Sequence, residues 1–203
     1  IQPVSSTPAT HCHSPCEALG GAVVRLDKAP GMHRVTWDLR YPGPWTSAAR
    51  PEGPNGPVAV PGKYSVRFTA GALTATQPLS LIEDPRIVQD GVTTAALKEQ
   101  FEHNVKARDL VSDMNRTLAR LRTARASAAG EKLASLNDLA ADLITPPIRY
   151  SKPELQAHIA YLYTLTNATD QKIGRDAIER YKVLRKALDD RIAQLNRILG
   201  TDK

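Results

Sequence analysis

The chain has 203 residues, of which 41% are hydrophobic and 24% charged, and its formal net charge is +6 at pH 7. This composition is close to that of globular proteins and argues against wholesale disorder, and no apolar run approaches the roughly 20 residues that cross a bilayer. The positive charge would favour binding to a polyanion such as a nucleic acid. In the C-terminal half, however, basic and acidic residues are interleaved as on a solvated helix face, and no nucleic-acid recognition motif occurs. We therefore expect no nucleic-acid partner.

Residues 1–20 are rich in Ser, Thr, Pro and Ala without hydrophobic periodicity, which indicates a linker or leader. The leader holds both cysteines of the chain and two histidines close together: His11, Cys12, His13 and Cys16. These four side chains are possible zinc ligands. A local disulfide or two free thiols is the simpler interpretation, so we expect no metal and no cofactor. The chain begins at Ile1 without a signal-peptide pattern, which suggests a fragment or a processed chain.

Short strands separated by turn-forming residues are predicted in the next part of the chain. Four runs fit the pattern of strands: Ala22–Leu26, His33–Leu39, Lys63–Phe68 and Leu73–Ile82. Pro78 cannot donate to a ladder, so the last of them is predicted to be an edge strand or to bend. Short antiparallel strands with long Pro- and Gly-rich loops are typical of a β-sandwich, and we predict one of immunoglobulin or fibronectin type over residues 21–86.

Two aromatic residues lie in the loop region between these strands, where binding residues are often found. Tyr41 and Trp45 are therefore candidate ligand-binding residues, with carbohydrate as the ligand class. The alternative is that both side chains pack over the edge of the sandwich. Trp37 alternates with Val35 and Leu39 and is predicted to be a core residue.

After Asp84-Pro85-Arg86 the hydrophobic period changes from about 2 to about 3.6. Helices are predicted over 93–126 and 131–143, from about residue 151, and over 175–199. Thr93 or Thr94 is the expected N-cap of the first helix, and Gly200 is the expected stop of the last. We predict that residues 92–200 form an antiparallel helical hairpin or bundle, giving an α+β chain with two segregated parts.

Several segments resemble the C-terminal region of bacterial BNR-repeat, sortilin-like β-propeller proteins. They are Pro30–Pro42, Val60–Phe68, Thr76–Leu79 and Asp84–Arg86, and the likeness continues into the helices at Ile159–Tyr163 and Tyr181–Leu199. The stretch around Trp37-Asp38 also resembles the Ig-like domain of flagellar hook-capping proteins. The resemblance implies an exported, periplasmic or extracellular bacterial protein with a propeller upstream, often labelled a glycosyl hydrolase or exo-sialidase.

No residue pattern in this chain predicts catalysis. The Asp boxes of a propeller, of the form Ser-x-Asp-x-Gly-x-x-Trp, do not occur, and neither an arginine cluster nor an activated tyrosine can be assembled for sialidase chemistry. We therefore predict no catalytic residue, and a non-enzymatic accessory module that packs against the upstream propeller or another protein, with the helices as a possible route to homo-oligomers. A carbohydrate-binding module using the loop aromatics is the alternative.

Overall fold

A computed structural model describes residues 2–3, 31–47 and 55–201. The strands are β1 (Gln2–Pro3), β2 (Gly62–Ala70) and β3 (Leu73–Leu81). The helices are α1 (Pro85–Gln89), α2 (Thr94–Ser127), α3 (Gly130–Leu143), α4 (Leu155–Thr166) and α5 (Arg175–Leu199). Helices take up more than half of the described residues, so the chain is mostly helical with one small sheet.

The four longer helices pack around one apolar core. Apolar residues three and four apart line one side of each helix, so each helix has a stripe that must be covered by its neighbours. The most deeply buried members are Leu110, Met114, Leu118, Leu121, Leu136, Leu139, Leu143, Ile159, Leu188 and Leu195. The predicted helical bundle is thus present. Within the described ranges, no helix is long and apolar enough to cross a membrane.

Most helix ends lie where the sequence predicts them. Thr93 is the N-cap of α2, and its hydroxyl accepts a hydrogen bond from the Ala96 N–H at 3.2 Å. Gly200 ends α5 in the left-handed conformation, with φ of 71°. The start of α4 differs: it begins at Leu155, because the Ser151 hydroxyl donates to the Pro146 carbonyl at 2.8 Å and does not cap the helix.

Strands β2 and β3 form an antiparallel hairpin in which Gly62 is opposite Leu81 and Ala70 is opposite Leu73. Gly71 has φ of +58° in the two-residue connection, a conformation that glycine adopts without steric cost. Strand β1 pairs with β2 over two residues, and β3 is the opposite edge of this sheet. The prediction of an edge strand at Pro78 is confirmed for the described sheet.

The prediction of an immunoglobulin-like or fibronectin-like β-sandwich is wrong. The described residues contain one small sheet, and no second sheet faces it. Residues 31–39 form no strand, and Val35 is 46% exposed. Next along the chain, Arg40 forms an isolated antiparallel bridge with Val58. The predicted strand at Ala22–Leu26 and the two cysteines lie outside the described residues. Of the predicted leader, residues 1–20, only Gln2–Pro3 are described, and they form strand β1 where a linker was expected.

Helix α2 takes the place that a second sheet would have occupied. A smaller apolar cluster joins the loops, the hairpin and this helix, and its buried members are Tyr41, Ala59, Tyr64, Phe101 and Val105. The two predicted parts are therefore not segregated, because they share this cluster. The loops approach closely: a Cβ at Gly56 would lie 1.8 Å from the Tyr41 carbonyl oxygen, so only glycine fits there.

Candidate functional site

The hairpin has one apolar face and one polar face. Residues on the two strands that are paired point to the same side, so the register defines both faces. One side carries Tyr64, Val66, Phe68, Ala70, Leu73, Ala75, Gln77 and Leu79. The other side carries Lys63, Ser65, Arg67, Thr69, Thr74, Thr76, Pro78 and Ser80. The hairpin is thus strongly amphipathic across its sheet plane.

Only the base of the apolar side is covered. Tyr64 is 6% exposed, packs edge-on against Trp37 with ring centroids 5.8 Å apart, and donates its hydroxyl to the Val60 carbonyl. Farther from the base, Val66 is 41%, Phe68 45% and Leu73 62% exposed. We call the uncovered part, Val66, Phe68, Ala70, Leu73 and Ala75, the hairpin tip face. This exposed apolar face is contiguous with the buried apolar cluster that contains Tyr64.

Both backbone edges of the hairpin tip are open among the described residues. Strand β1 covers β2 only at Tyr64 and Ser65, and β3 has no described neighbour on its outer side. Unpaired N–H and C=O groups on a sheet edge can pair with another strand. The hairpin tip therefore combines an apolar face with two edges that have no partner strand in the described parts of the chain.

The structure places Tyr41, a predicted ligand-binding residue, in the interior. It is 7% exposed, and its ring packs on Phe101 of α2 with centroids 5.2 Å apart. Its backbone N–H donates to the Pro57 carbonyl at 2.9 Å. Because its ring is packed inside the apolar cluster, it has no open face for stacking on a sugar.

Trp45, the second predicted ligand-binding residue, is half-buried farther along the same helix. Its backbone N–H donates to Ser112 Oγ at 2.9 Å, and its carbonyl accepts from Asn115 Nδ2 at 2.8 Å. The Arg116 guanidinium lies 5.4 Å from the ring centroid. Phe101 and Asn115 are about 20 Å apart along the helix axis, so the structure does not bring the two aromatic candidates into one site.

A buried polar cluster fastens the loop at Asn55 to helix α4. The Tyr163 hydroxyl donates to the Asn55 carbonyl at 2.6 Å, and Asn167 Nδ2 donates to the same carbonyl at 3.1 Å and to that of Gly56 at 3.3 Å. Burial raises the pKa of Tyr163 to about 12, against the opposing effect of nearby Arg108 and Arg40. This cluster is structural, because its donors and acceptors satisfy one another.

The metal candidates His11, Cys12, His13 and Cys16 lie outside the described residues. In the ranges that the structure covers, no three His, Cys, Asp or Glu side chains gather as metal ligands would. His103 is buried against Tyr181, with ring centroids 6.0 Å apart, and its Nε2 has no hydrogen-bond partner among the described residues. Burial and the charge of Lys106 lower the pKa of His103, while Glu99 opposes them.

Sequence reasoning missed a cleft of about 720 Å³ between the loops and the N-terminal half of α2. Its walls come from five separate stretches of chain, around residues 38–40, 58–61, 81–87, 97–104 and 167–170. No local motif marks such a cleft, because it exists only where these stretches meet. The pair of buried amides at Gln100 and Asn104, four residues apart on an apolar helix face, was the available signal.

No family model, no curated protein and no solved structure matches this chain.

Proposed function

We propose that this chain is a non-catalytic accessory module that packs against a domain preceding it in a larger exported protein. The observation that supports the proposal most directly is the hairpin tip face, an apolar surface that continues a buried cluster and whose strand edges have no partner among the residues described. Exposed contiguous apolar surface of this kind is typical of protein-association sites. The sequence resemblance to the C-terminal region of sortilin-like β-propeller proteins supplies the candidate for the preceding domain.

The register of β1 favours the preceding polypeptide as the partner. Strand β1 runs antiparallel to β2, with Gln2 opposite Ser65 and Pro3 opposite Tyr64. Polypeptide before Gln2, if it continued in this direction, would run along Val66 to Ala70, the part of the β2 edge that no described strand covers. An added strand gains main-chain hydrogen bonds from the edge and specificity from alternate side chains. Apolar residues at alternate positions of that strand would extend the hairpin tip face.

Hydrogen exchange tests this proposal even while the partner is unidentified. We would compare the backbone amides of Val66–Ala70 that point away from β3 in this chain alone with the same amides in the longer protein that includes the preceding domain. The proposal expects strong additional protection in the longer protein, because edge amides that pair with a strand exchange slowly. Equal exchange in the two proteins, or protection that appears only when this chain dimerises, would contradict it.

A matched pair of substitutions separates the two faces of the hairpin. Phe68→Ser removes an apolar group from the hairpin tip face, and Arg67→Ser changes its neighbour on the polar face. Phe68→Ser should lower the melting temperature of the longer protein much more than that of this chain alone, whereas Arg67→Ser should change neither. A similar effect of the two substitutions would count against docking through the apolar face.

A further inference from the structure

The cleft between the loops and α2 has a polar wall in which the amide donors are already used. Gln100 Nε2 donates to the carbonyls of Thr166 at 2.8 Å and Thr169 at 2.6 Å. Asn104 Nδ2 donates to the Thr166 carbonyl at 3.1 Å. Asn104 Nδ2 also donates to Asn167 Oδ1 at 3.4 Å. The side-chain N–H groups of Gln100 and Asn104 are thus all directed to the end of α4 and the residues after it, and neither amide has a donor left to offer.

An acceptor on the same wall is left without a partner. Asn104 is only 3% exposed, and its Oδ1 accepts no hydrogen bond from any residue that the structure describes. Its orientation is fixed, because its nitrogen is held by the Thr166 carbonyl on the other side of the amide. A buried acceptor without a donor costs free energy, and such groups in native proteins call for an explanation. A ligand that donates a hydrogen bond to Asn104 Oδ1 would explain why this acceptor is left without a partner in the protein.

The charge on the cleft points to a cation. Four carboxylates line it, from Asp38, Glu83, Asp84 and Asp170, against the single guanidinium of Arg40, although the whole chain carries a net charge of +6. Arg86 holds Asp84 in an ion pair at 2.5 Å, and Thr94 donates to Glu83. Asp38 accepts from the Arg40 N–H at 3.0 Å. Asp170 is exposed and makes no ion pair with any described residue, so its carboxylate is open to an incoming charge.

The remainder of the lining is apolar. Leu97 and Phe101 form part of the helix side, and Leu81 and Ile82 form part of the opposite side, where Ile82 is 76% exposed. An uncovered isoleucine at the rim of a cleft is suited to contact the hydrocarbon part of a ligand. A purely polar cation such as a hydrated metal ion would leave this surface unused, in keeping with the absence of a metal-ligand group among the described residues.

We propose that this cleft binds a protonated primary amine attached to an apolar body. The ammonium group, which has three N–H donors and no acceptor, would be held by the Asp170 carboxylate and would supply a donor to Asn104 Oδ1. The hydrocarbon part would lie along Leu97, Leu81 and Ile82. The site is separate from the hairpin tip face, so its existence does not depend on the proposed accessory function.

Titration with n-hexylamine, with n-hexanol as the matched neutral probe, tests the proposal by calorimetry or NMR. The amine should bind at least tenfold more tightly than the alcohol at neutral pH, and added salt should weaken the difference. Asp170→Asn should reduce amine affinity about tenfold, since hydrogen bonds to charged groups contribute more than neutral ones. Equal affinity of amine and alcohol would overturn the proposal.

Two further variants test whether the loss of amine binding is specific to the cleft, and two ligands distinguish the source of the amine. Asp138→Asn, an exposed carboxylate on α3 away from the cleft, should leave amine affinity unchanged. If it weakens binding as much as Asp170→Asn, the effect is bulk charge and the proposal is wrong. Asn104→Leu should weaken the amine more than the alcohol, which a general loss of packing would not do. Free hexylamine and a short peptide with one lysine carry the same chemistry, and tighter binding of one identifies the source of the amine.

Discussion

At the scale of single residues, Tyr163 shows how one hydroxyl fixes a loop to a helix. Its hydroxyl donates to the Asn55 carbonyl across 108 positions of sequence. Tyr163→Phe removes this donor and keeps the ring, and we expect the free energy of unfolding to fall by about 1 kcal/mol. The loss is limited because Asn167 donates to the same carbonyl. Urea unfolding measures the change, and Tyr161→Phe, at a residue that is 67% exposed, is the matched control with an expected effect of about 0.5 kcal/mol or less.

The same hydroxyl gives an alkaline signature. The pKa of Tyr163 is raised from an ordinary 10.0 to about 12 in the folded chain, chiefly by burial. The unfolded state therefore loses this proton first, and the contribution to stability is complete below pH 10 and lost as the pH rises toward about 12. The free energies of unfolding of wild type and Tyr163→Phe should converge over this window. A constant difference would show that the phenol does not titrate with folding.

His103 predicts a second pH dependence, on the acid side. Burial, helped by Lys106, lowers its pKa below the ordinary 6.5, and Tyr181 packs on its ring. The unfolded chain takes up a proton near 6.5 while the folded chain resists it, so stability should fall as the pH drops below that value. His103→Gln should flatten the decline measured by urea unfolding between about pH 7 and pH 5. His158→Gln is the control on α4, and an equal flattening there would refute the assignment to His103.

At the scale of elements, the helical core should respond strongly to small cavities. Leu188 of α5 is fully buried, whereas Leu165 of α4 is 52% exposed. Leu188→Ala should reduce the free energy of unfolding by about 3 kcal/mol, through lost transfer energy and an unfilled cavity. Leu165→Ala makes the same chemical change on the surface and should cost about 0.5 kcal/mol or less. Similar losses in both variants would mean that the described core is not the one that holds the bundle together.

The helices can be predicted because their signals are local. Periodic apolar residues, the Thr93 cap and the terminal Gly200 all act within a few positions, and the predicted bounds of α2 and α5 match the structure almost to the residue. The start of α4 cannot be predicted in this way, because Ser151 uses its hydroxyl on a preceding carbonyl and not on the helix. Competition of that kind depends on the path of the loop, which local spacing does not contain.

The strands, in contrast to the helices, cannot be predicted from local signals alone. The alternation at Val35 and Trp37 is as regular as that of β2, yet residues 31–39 form no strand, because a strand exists only with a partner. Trp37 still reaches the apolar cluster, and its Nε1 donates to the Arg40 carbonyl at 3.0 Å. Alternation thus predicted that Trp37 packs on the apolar cluster, where it is partly buried, but it predicted the surrounding architecture wrongly. The cleft could not be predicted for a related reason, since its walls come from distant stretches.

At the scale of the whole molecule, the loops, hairpin and helices are joined by the second apolar cluster. Phe101 and Val105 project from α2 into a group completed by Tyr41, Ala59 and Tyr64. Separation of the two parts would expose these side chains to water on both sides, at a cost proportional to their apolar area. The hydrogen bonds from Ser112 and Asn115 to the backbone of Trp45 extend the junction along α2. The described regions should therefore unfold as one unit.

The two tryptophans make it possible to measure whether the loops and the helices unfold together. Trp37 and Trp45 are the only tryptophans of the chain, and both lie before the hairpin, so tryptophan fluorescence reports on the loops. Circular dichroism at the helical band reports on α2 to α5. The two signals should give coincident urea transitions, because the shared cluster couples them. Tyr41→Ala should lower both midpoints together by removing a buried ring. A fluorescence transition that clearly precedes the helical one would show that the loops and hairpin dock on an independently stable bundle.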